Sequence, residues 1–298
     1  MDKMISIISV NYNGLKQTSE MIRSIMQNVR SCPFEIIIVD NGSRNDEARQ
    51  LKENFPQIKA IRSEENLGFA GGNNLALAHA DGDWLFFINN DTEILQDNVD
   101  NLCKALEDNP QAGIVCPKIC FFSDKSIIQY AGYTPMKGFR MKNGMIGYGC
   151  KDDGSFDKAG FTAFPHGAAM MVRRSALEEV GPMPEMYFLY YEELDWAMMF
   201  LRKGWKIYFE PSCTIYHKDS MTTKRFGPVF TYYMTRSRLI YAWRNLSGAE
   251  RWMSIMFTRY VASAKSFIIN LLHGRFDSAK AVVKANADYI KMKNQGKI

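Results

Sequence analysis

The sequence predicts an α/β protein built on a doubly wound sheet, and three observations point there. Apolar, strand-like runs alternate with helically spaced ones from Met4 to Glu93, the pattern of a sheet with right-handed crossovers. Leu85 to Ile88 are apolar at every position, as a strand covered on both faces must be. Each strand run ends in polar residues, which places them on one rim, the edge where open parallel sheets bind ligands.

In chain order, residues 4–10 read as the first strand. Residues 15–29 form a helix with Leu15, Met21, Ile22, Ile25, Met26 and Val29 at helical spacing. Residues 34–39 are the second strand, 43–54 a polar helix, 58–61 a short third strand, 70–80 a helix and 84–88 the fourth strand. The first strand delivers Asn11-Tyr12-Asn13-Gly14 to the rim, the second Asp40-Asn41-Gly42-Ser43, and the fourth Asn89 to Glu93. After the third comes Asn66-Leu-Gly-Phe-Ala-Gly-Gly-Asn-Asn74, where bare backbone amides at a helix start can approach phosphate or sugar oxygens. Its glycines stand at 68, 71 and 72, which is not the spacing of a dinucleotide fingerprint, so a nicotinamide cofactor is disfavoured. Asp91 and Glu93, two residues apart, are placed to face one hard cation. The same residue types also suit a turn, and this stretch alone leaves both readings open.

Composition sets the outer bounds. With 298 residues, 46% hydrophobic and 23% charged, the chain can bury a substantial core. Its six cysteines are scattered without a CxxC pair, which predicts reduced core thiols. The first residues carry an acid and too short an apolar run for a signal peptide, so a cytoplasmic protein is expected. The net charge of +5 hides an asymmetry: from Lys218 onward there are 15 Lys and Arg against 4 Asp and Glu. An acidic front therefore precedes a basic tail.

Taken together, Val10-Asn-Tyr-Asn-Gly14, Ile38-Val-Asp-Asn-Gly-Ser43, Asn66 to Asn73 and Phe87-Ile-Asn-Asn-Asp91 resemble the successive motifs of family 2 glycosyltransferases. The resemblance is strongest to the rhamnosyltransferase-like branch. It continues through His166 to Arg174, Val180-Gly-Pro-Met-Pro184, Phe188 to Asp195 and Ile215-Tyr-His217, and so covers roughly residues 4–245. It implies a GT-A fold and an inverting transfer from a nucleotide-diphosphate sugar donor, with Mn2+ or Mg2+ neutralising the leaving diphosphate. Asn89-Asn-Asp91 stands where the family carries its Asp-x-Asp motif, so Asp91 is the expected metal ligand, with Glu93 second and His217 third. Asn89 departs from the pattern by offering a neutral oxygen. Glu193 falls at the position of the catalytic base, with Glu192 and Asp195 as alternatives, since an acidic first helical turn also suits the helix dipole. The resemblance further implies donor contacts from Asn11, Tyr12, Asn13, Asp40, Asn66, Gly68, Asn73, Asn89 and Asn90. Asp40 has a competing role as a strand-ending helix cap, and Arg173 and Arg174 reach either the diphosphate or the start of a helix at 175–180.

The expected domains are a catalytic unit at 1–225, divided into a donor half at 1–95 and an acceptor half at 96–225, and a basic helical extension at 226–298. Residues 121–164 are the expected acceptor region, for a glycan or glycolipid. In the tail, residues 229–245 read as one helix and 249–273 as another. The second carries Trp252, Ile255, Met256, Tyr260, Phe267, Ile268, Leu271 and Leu272 in a broad apolar stripe accompanied by Arg251, Arg259, Lys265 and Arg275. Such a helix suits the inner face of a cytoplasmic membrane, packing on the catalytic unit, or a homodimer contact. Nucleic acid is disfavoured because the basic residues form no reading motif. Two other functions compete with transfer: a nucleotide-sugar-binding protein without turnover, and a nucleotidyltransferase, whose GxGTR-like loop is missing.

Overall fold

The computed structural model describes residues 3–218 and 227–298. Strands β1 (Ile5–Asn11), β2 (Phe34–Asn41), β3 (Lys59–Ser63) and β4 (Trp84–Ile88) run parallel, joined by helices α1 (Leu15–Asn28), α2 (Glu47–Asn54) and α3 (Gly68–Leu77). Every β4 side chain is buried, so its unbroken apolar run has the two covered faces it requires. Helix α2 begins four residues later than the sequence suggests. Asp46 caps it by accepting from the Arg49 amide at 2.9 Å, while Ser43 is held in the preceding turn by Asp40.

Beyond β4 follow β5 (Thr92–Glu93), α4 (Asp100–Asp108), β6 (Ala112–Phe121), β7 (Ile128–Tyr130), β8 (Gly160–Thr162), β9 (Ala169–Arg173), α5 (Arg174–Val180), α6 (Glu192–Arg202) and β10 (Lys206–His217). The sheet order is β3-β2-β1-β4-β9-β6-β10-β5, with β7 on β6 and β8 on β10. Strand β9 runs antiparallel between β4 and β6, which makes the sheet mixed. Its inversion brings the segment just before β9 to the same rim as the ends of β1, β2 and β4. Of the six cysteines, Cys116, Cys120 and Cys213 are buried thiols, whereas Cys150 is exposed.

The tail comprises α7 (Pro228–Asn245), α8 (Gly248–Met256), a π-helical stretch (Phe257–Ala262), α9 (Ser263–Leu272) and α10 (Phe276–Asn294). A second core of Tyr187, Leu239, Ile240, Tyr241, Ala242, Ile255 and Tyr289 seats the tail on the sheet-bearing unit. The expected stripe divides there. Ile255 is buried, whereas Trp252, Met256, Tyr260, Ile268 and Leu272 are exposed. The expected domain boundary at 225/226 lies outside the described residues.

Candidate active site

The donor side of the rim is a closed hydrogen-bond network. Asn11, fully buried at the end of β1, donates to Glu47 Oε2 at 2.8 Å and accepts from the Thr18 hydroxyl at 2.7 Å. Thr18 in turn accepts from Asn90 Nδ2 at 3.0 Å. Asn13, in the left-handed region at φ +51°, donates its amide to Ser43 Oγ at 2.8 Å and accepts from the Arg44 amide at 3.0 Å. Asp40 is fully buried. Its Oδ2 accepts from the amides of Glu47 (3.1 Å) and Ala48 (3.2 Å) and from Arg62 Nη1 (2.7 Å), and its Oδ1 accepts from the Ser43 amide (3.2 Å). A carboxylate so engaged is turned into the fold, capping α2 and holding Arg62, rather than facing the cleft.

The glycine-rich turn is locked as well. Asn66 Oδ1 accepts from the Gly68 amide at 2.9 Å and from Asn41 Nδ2 at 3.2 Å. Gly68 sits at φ +77°, and a Cβ there would stand 2.4 Å from the Phe188 carbonyl oxygen. Only glycine meets both demands. Asn73 is buried and donates back to the Phe69 carbonyl within α3, so its side chain serves the helix. Tyr12 and Asn89 remain accessible on the rim, Tyr12 at 40% exposure.

Of the three expected metal ligands, the structure brings Asp91 and His217 together. Strand β5 pairs antiparallel with the end of β10, with Thr92 opposite His217. That register brings His217 Nε2 to 3.1 Å from Asp91 Oδ1, and both residues are buried. His217 Nδ1 lies 2.9 Å from Gln129 Oε1. A carbonyl oxygen only accepts, so in this arrangement Nδ1 carries the hydrogen and Nε2 faces the carboxylate. An imidazole nitrogen and a carboxylate oxygen at that distance are groups that a proton or a divalent cation can join. An imidazole and a carboxylate suit Mn2+ better than Mg2+. Among the described residues no cluster of three or more His, Cys, Asp or Glu is gathered to hold a metal. Glu93, the other expected ligand, has a cationic partner. It forms an ion pair with Lys218 at 2.6 Å, which also binds Glu20 at 2.6 Å.

The three acids of α6 have different surroundings. Asp195 is fully buried and accepts from Arg244 Nε at 2.6 Å and Asn245 Nδ2 at 2.7 Å, tying α6 to α7. Glu192 is buried with Oε2 lacking a hydrogen-bond partner, and burial, then the neighbouring Glu193 charge, pushes its carboxyl well above the usual range. Glu193 is partly exposed, and burial raises its carboxyl too. Its Cγ would lie 3.7 Å from a Cβ on Gly167. The Tyr133 phenol is pushed up first by burial and next by the Glu193 charge. Next to Gly167, His166 accepts from the Ala168 amide at 3.1 Å, stacks on Tyr133 and lies 6.3 Å from the His217 ring. Burial, then the His217 charge, lowers its pKa to about 3, which keeps it neutral. His166 thus neighbours His217, while the adjoining Gly167 faces Glu193.

The acids follow a strained loop. Phe188, Tyr190 and Tyr191 have φ of +65°, +65° and +74°, each costing about 1–3 kcal/mol for such residues. Helix α7 holds them there: Arg236 donates to the Tyr187 carbonyl at 2.6 Å, Ser237 to the Leu189 carbonyl at 3.0 Å, and Phe188 stacks on Tyr233 at 5.0 Å. Arg173 and Arg174 take no part. Arg173 pairs with Trp84 at the opposite edge of the sheet and donates to the carbonyls of Leu106 and Ala112, while Arg174 donates to those of Ala80 and Gly82. They cap helix ends rather than reach a diphosphate. Four residues of the rim were not singled out from the sequence: Glu47, Arg62, Gln129 and His166. Only His166 had a signal, as the head of the segment 166–174.

An open α/β sheet with an inverted β9 and a polar carboxyl rim defines the GT-A class of glycosyltransferases. The family model described as "Glycosyl transferase family 2" matches residues 6–181, and the chain belongs to that family. Among its relatives, a glycosyltransferase of Haemophilus influenzae is 30% identical over 112 residues, covering 38% of this chain and 37% of that protein. The N-acetylglucosaminyl-diphospho-decaprenol L-rhamnosyltransferase of Mycobacterium tuberculosis is 22% identical, covering 76% of this chain and 79% of its own. Among solved structures, GalNAc-T7 with UDP, GalNAc and Mn2+ aligns with a TM-score of 0.63 at 14% identity, over 89% of this chain and 57% of that one. The mannosyltransferase PcManGT of Pyrobaculum calidifontis, in complex with GDP-Man and Mn2+, aligns with a TM-score of 0.58 at 16% identity, over 99% of this chain and 80% of that one.

Proposed function

We propose that the protein is an inverting glycosyltransferase that moves rhamnose or another hexose from a nucleoside-diphosphate donor to a hydroxyl of a surface-glycan or lipid-linked acceptor. The observation that carries this reading is the Asp91–His217 pair at 3.1 Å, whose imidazole lies 6.3 Å from His166, next to the Gly167 that faces the raised carboxyl of Glu193. The mycobacterial relative's name supports the rhamnosyl donor and the lipid-linked acceptor.

Glu193 takes the proton from the attacking hydroxyl, on the face of the sugar opposite the leaving group. Its raised pKa makes it a stronger base than an exposed glutamate, and Glu192 and Asp195 act in support rather than as the base. Asp91 and His217 would hold the divalent cation, with Gln129 fixing the imidazole. When bound, that cation supplies neutralising charge at the leaving diphosphate. Tyr12, Asn89 and Asn90 contact nucleotide and sugar. Asn11, Asn13, Asp40, Asn66, Gly68 and Asn73 hold the rim in shape behind them. In domain terms, 1–95 bind the donor, 96–225 present the acceptor, and 226–298 brace the loop that carries the base.

Among the described residues no helix is long and apolar enough to cross a membrane. The exposed Trp252, Met256, Tyr260, Ile268 and Leu272 support docking on the inner face of a cytoplasmic membrane. The reading is tested by calorimetric titration with UDP-, dTDP-, GDP- and CDP-sugars with and without Mn2+. Metal-enhanced binding of one nucleotide class is expected, and no binding of any would overturn it.

A further inference from the structure

Between the turn at 138–143 and the tail lies a cleft of about 900 Å³. Arg140, Lys142, Arg238 and Lys265 line it, and among the described residues no Asp or Glu does. Like charges gathered without an acid repel one another unless an anion joins them. The Arg238 Nε is buried without a hydrogen-bond partner, while its Nη2 donates to the Arg140 carbonyl at 2.5 Å. Arg140 stacks over Phe257 at 5.2 Å, which holds the guanidinium at the cleft wall.

The cleft adjoins the candidate active site. Phe230 on its lining packs edge-on to Tyr190 at 5.5 Å, and the Arg238 charge opposes the upward shift that burial gives the Tyr191 phenol. Its other wall is apolar, with Phe257 and Ile269. The same helical rod turns Tyr260, Ile268 and Leu272 outward at 58%, 54% and 80% exposure. A cationic pocket beside the loop that leads to the base therefore runs onto an exposed apolar ridge.

We propose that this cleft holds the diphosphate head of an amphiphilic lipid-linked acceptor, whose hydrocarbon chain leaves across the outer face of α8 and α9. The proposal rests on the transferase reading above and names its acceptor class. Diphosphate oxygens match the converging guanidinium and ammonium donors, and the chain covers apolar surface that water otherwise meets.

The test is calorimetric titration of the full chain with farnesyl diphosphate, farnesol and inorganic pyrophosphate. Farnesyl diphosphate should bind at least roughly tenfold more tightly than either fragment, and the double variant Lys142→Glu, Lys265→Glu should weaken it by roughly tenfold or more. An unchanged melting temperature and circular dichroism spectrum would show that the variant folds. A second variant, Ile269→Ser, keeps the charges and should weaken farnesyl diphosphate while leaving pyrophosphate alone. Equal binding of pyrophosphate would reduce the cleft to a free-anion site, equal binding of farnesol to a grease groove, and undiminished binding by the folded double variant would put the lipid elsewhere; each overturns the proposal. Nucleotide binding by the wild-type chain, measured in parallel, reports on the transferase reading alone. Its absence would sink that reading and leave the lipid result standing.

Discussion

Replacing Asp195 by Ala should destabilise the protein rather than disarm it. Asp195 is fully buried, and its two oxygens accept from Arg244 at 2.6 Å and Asn245 at 2.7 Å, with Arg202 at 3.7 Å. Removing one member of a buried pair typically costs about 3–5 kcal/mol, because the other charge is left unpaired. Arg244 is 25% exposed and Arg202 48% exposed, so water recovers part of that, and about 2–4 kcal/mol is expected. At roughly 2–4 °C per kcal/mol for a chain of this size, the melting temperature should fall by roughly 5–15 °C. Thermal melts followed by circular dichroism measure this, and donor turnover per folded molecule is measured on the same samples at low temperature. An unchanged melt together with a turnover loss of roughly a hundredfold or more would refute the reasoning and make Asp195 the base.

Glu193→Gln should retain nucleotide binding and lose transfer by roughly a hundredfold or more. Because burial raises the Glu193 carboxyl, wild-type transfer should fall with decreasing pH at a higher pH than an ordinary glutamate would impose. The linkage has the matching sign: the stability tied to this carboxyl is full below its unfolded value and is lost as pH rises through the raised folded value. Glu193→Gln should therefore melt at or above the wild-type temperature at neutral pH, and a lower melt would contradict the burial argument. Asp91→Ala should abolish the Mn2+ enhancement of donor binding with the fold intact, and an undiminished enhancement would remove Asp91 from the metal site. Gly68→Ala should lower stability by about 1–3 kcal/mol, from the φ of +77° and the 2.4 Å approach to the Phe188 carbonyl, which a denaturant melt would register.

What was legible in the sequence follows from which interactions are local. Strand β4 announces itself because an unbroken apolar run has one explanation in an alternating chain, and α6 begins at Glu192 as its spacing indicates. Asp91 with His217 was legible through the resemblance, although 126 residues separate them. Gln129 carried no such signal. Its role exists only because β7 lies against β6 and presents it to the imidazole, a contact that spacing cannot encode. Glu93, two residues from Asp91, reads as a second ligand, while the ion pair that Lys218 makes with it is a contact that spacing cannot encode. Asp40 shows the same limit: a strand-end acid reads alike whether it faces the cleft or caps α2, and only the amides of Glu47 and Ala48 decide it.

The two sides of the site are held by different forces, and the basic tail belongs to one of them. On the donor side, polar groups of the rim bond mainly to one another, so the shape of that surface is set before any ligand arrives. On the base-bearing side, three residues at positive φ store strain that their own segment cannot repay. Arg236, Ser237 and Tyr233 of α7 hold that loop, while Arg244 and Asn245 anchor the helix it leads into. Several of the tail's cations are thus spent on carbonyls and a buried carboxylate around Glu193. A truncation before α7 would remove every one of these restraints while sparing the sheet. The tail is then a structural part of the catalytic face, and three of its other cations, Arg238, Lys265 and Arg275, line the cleft.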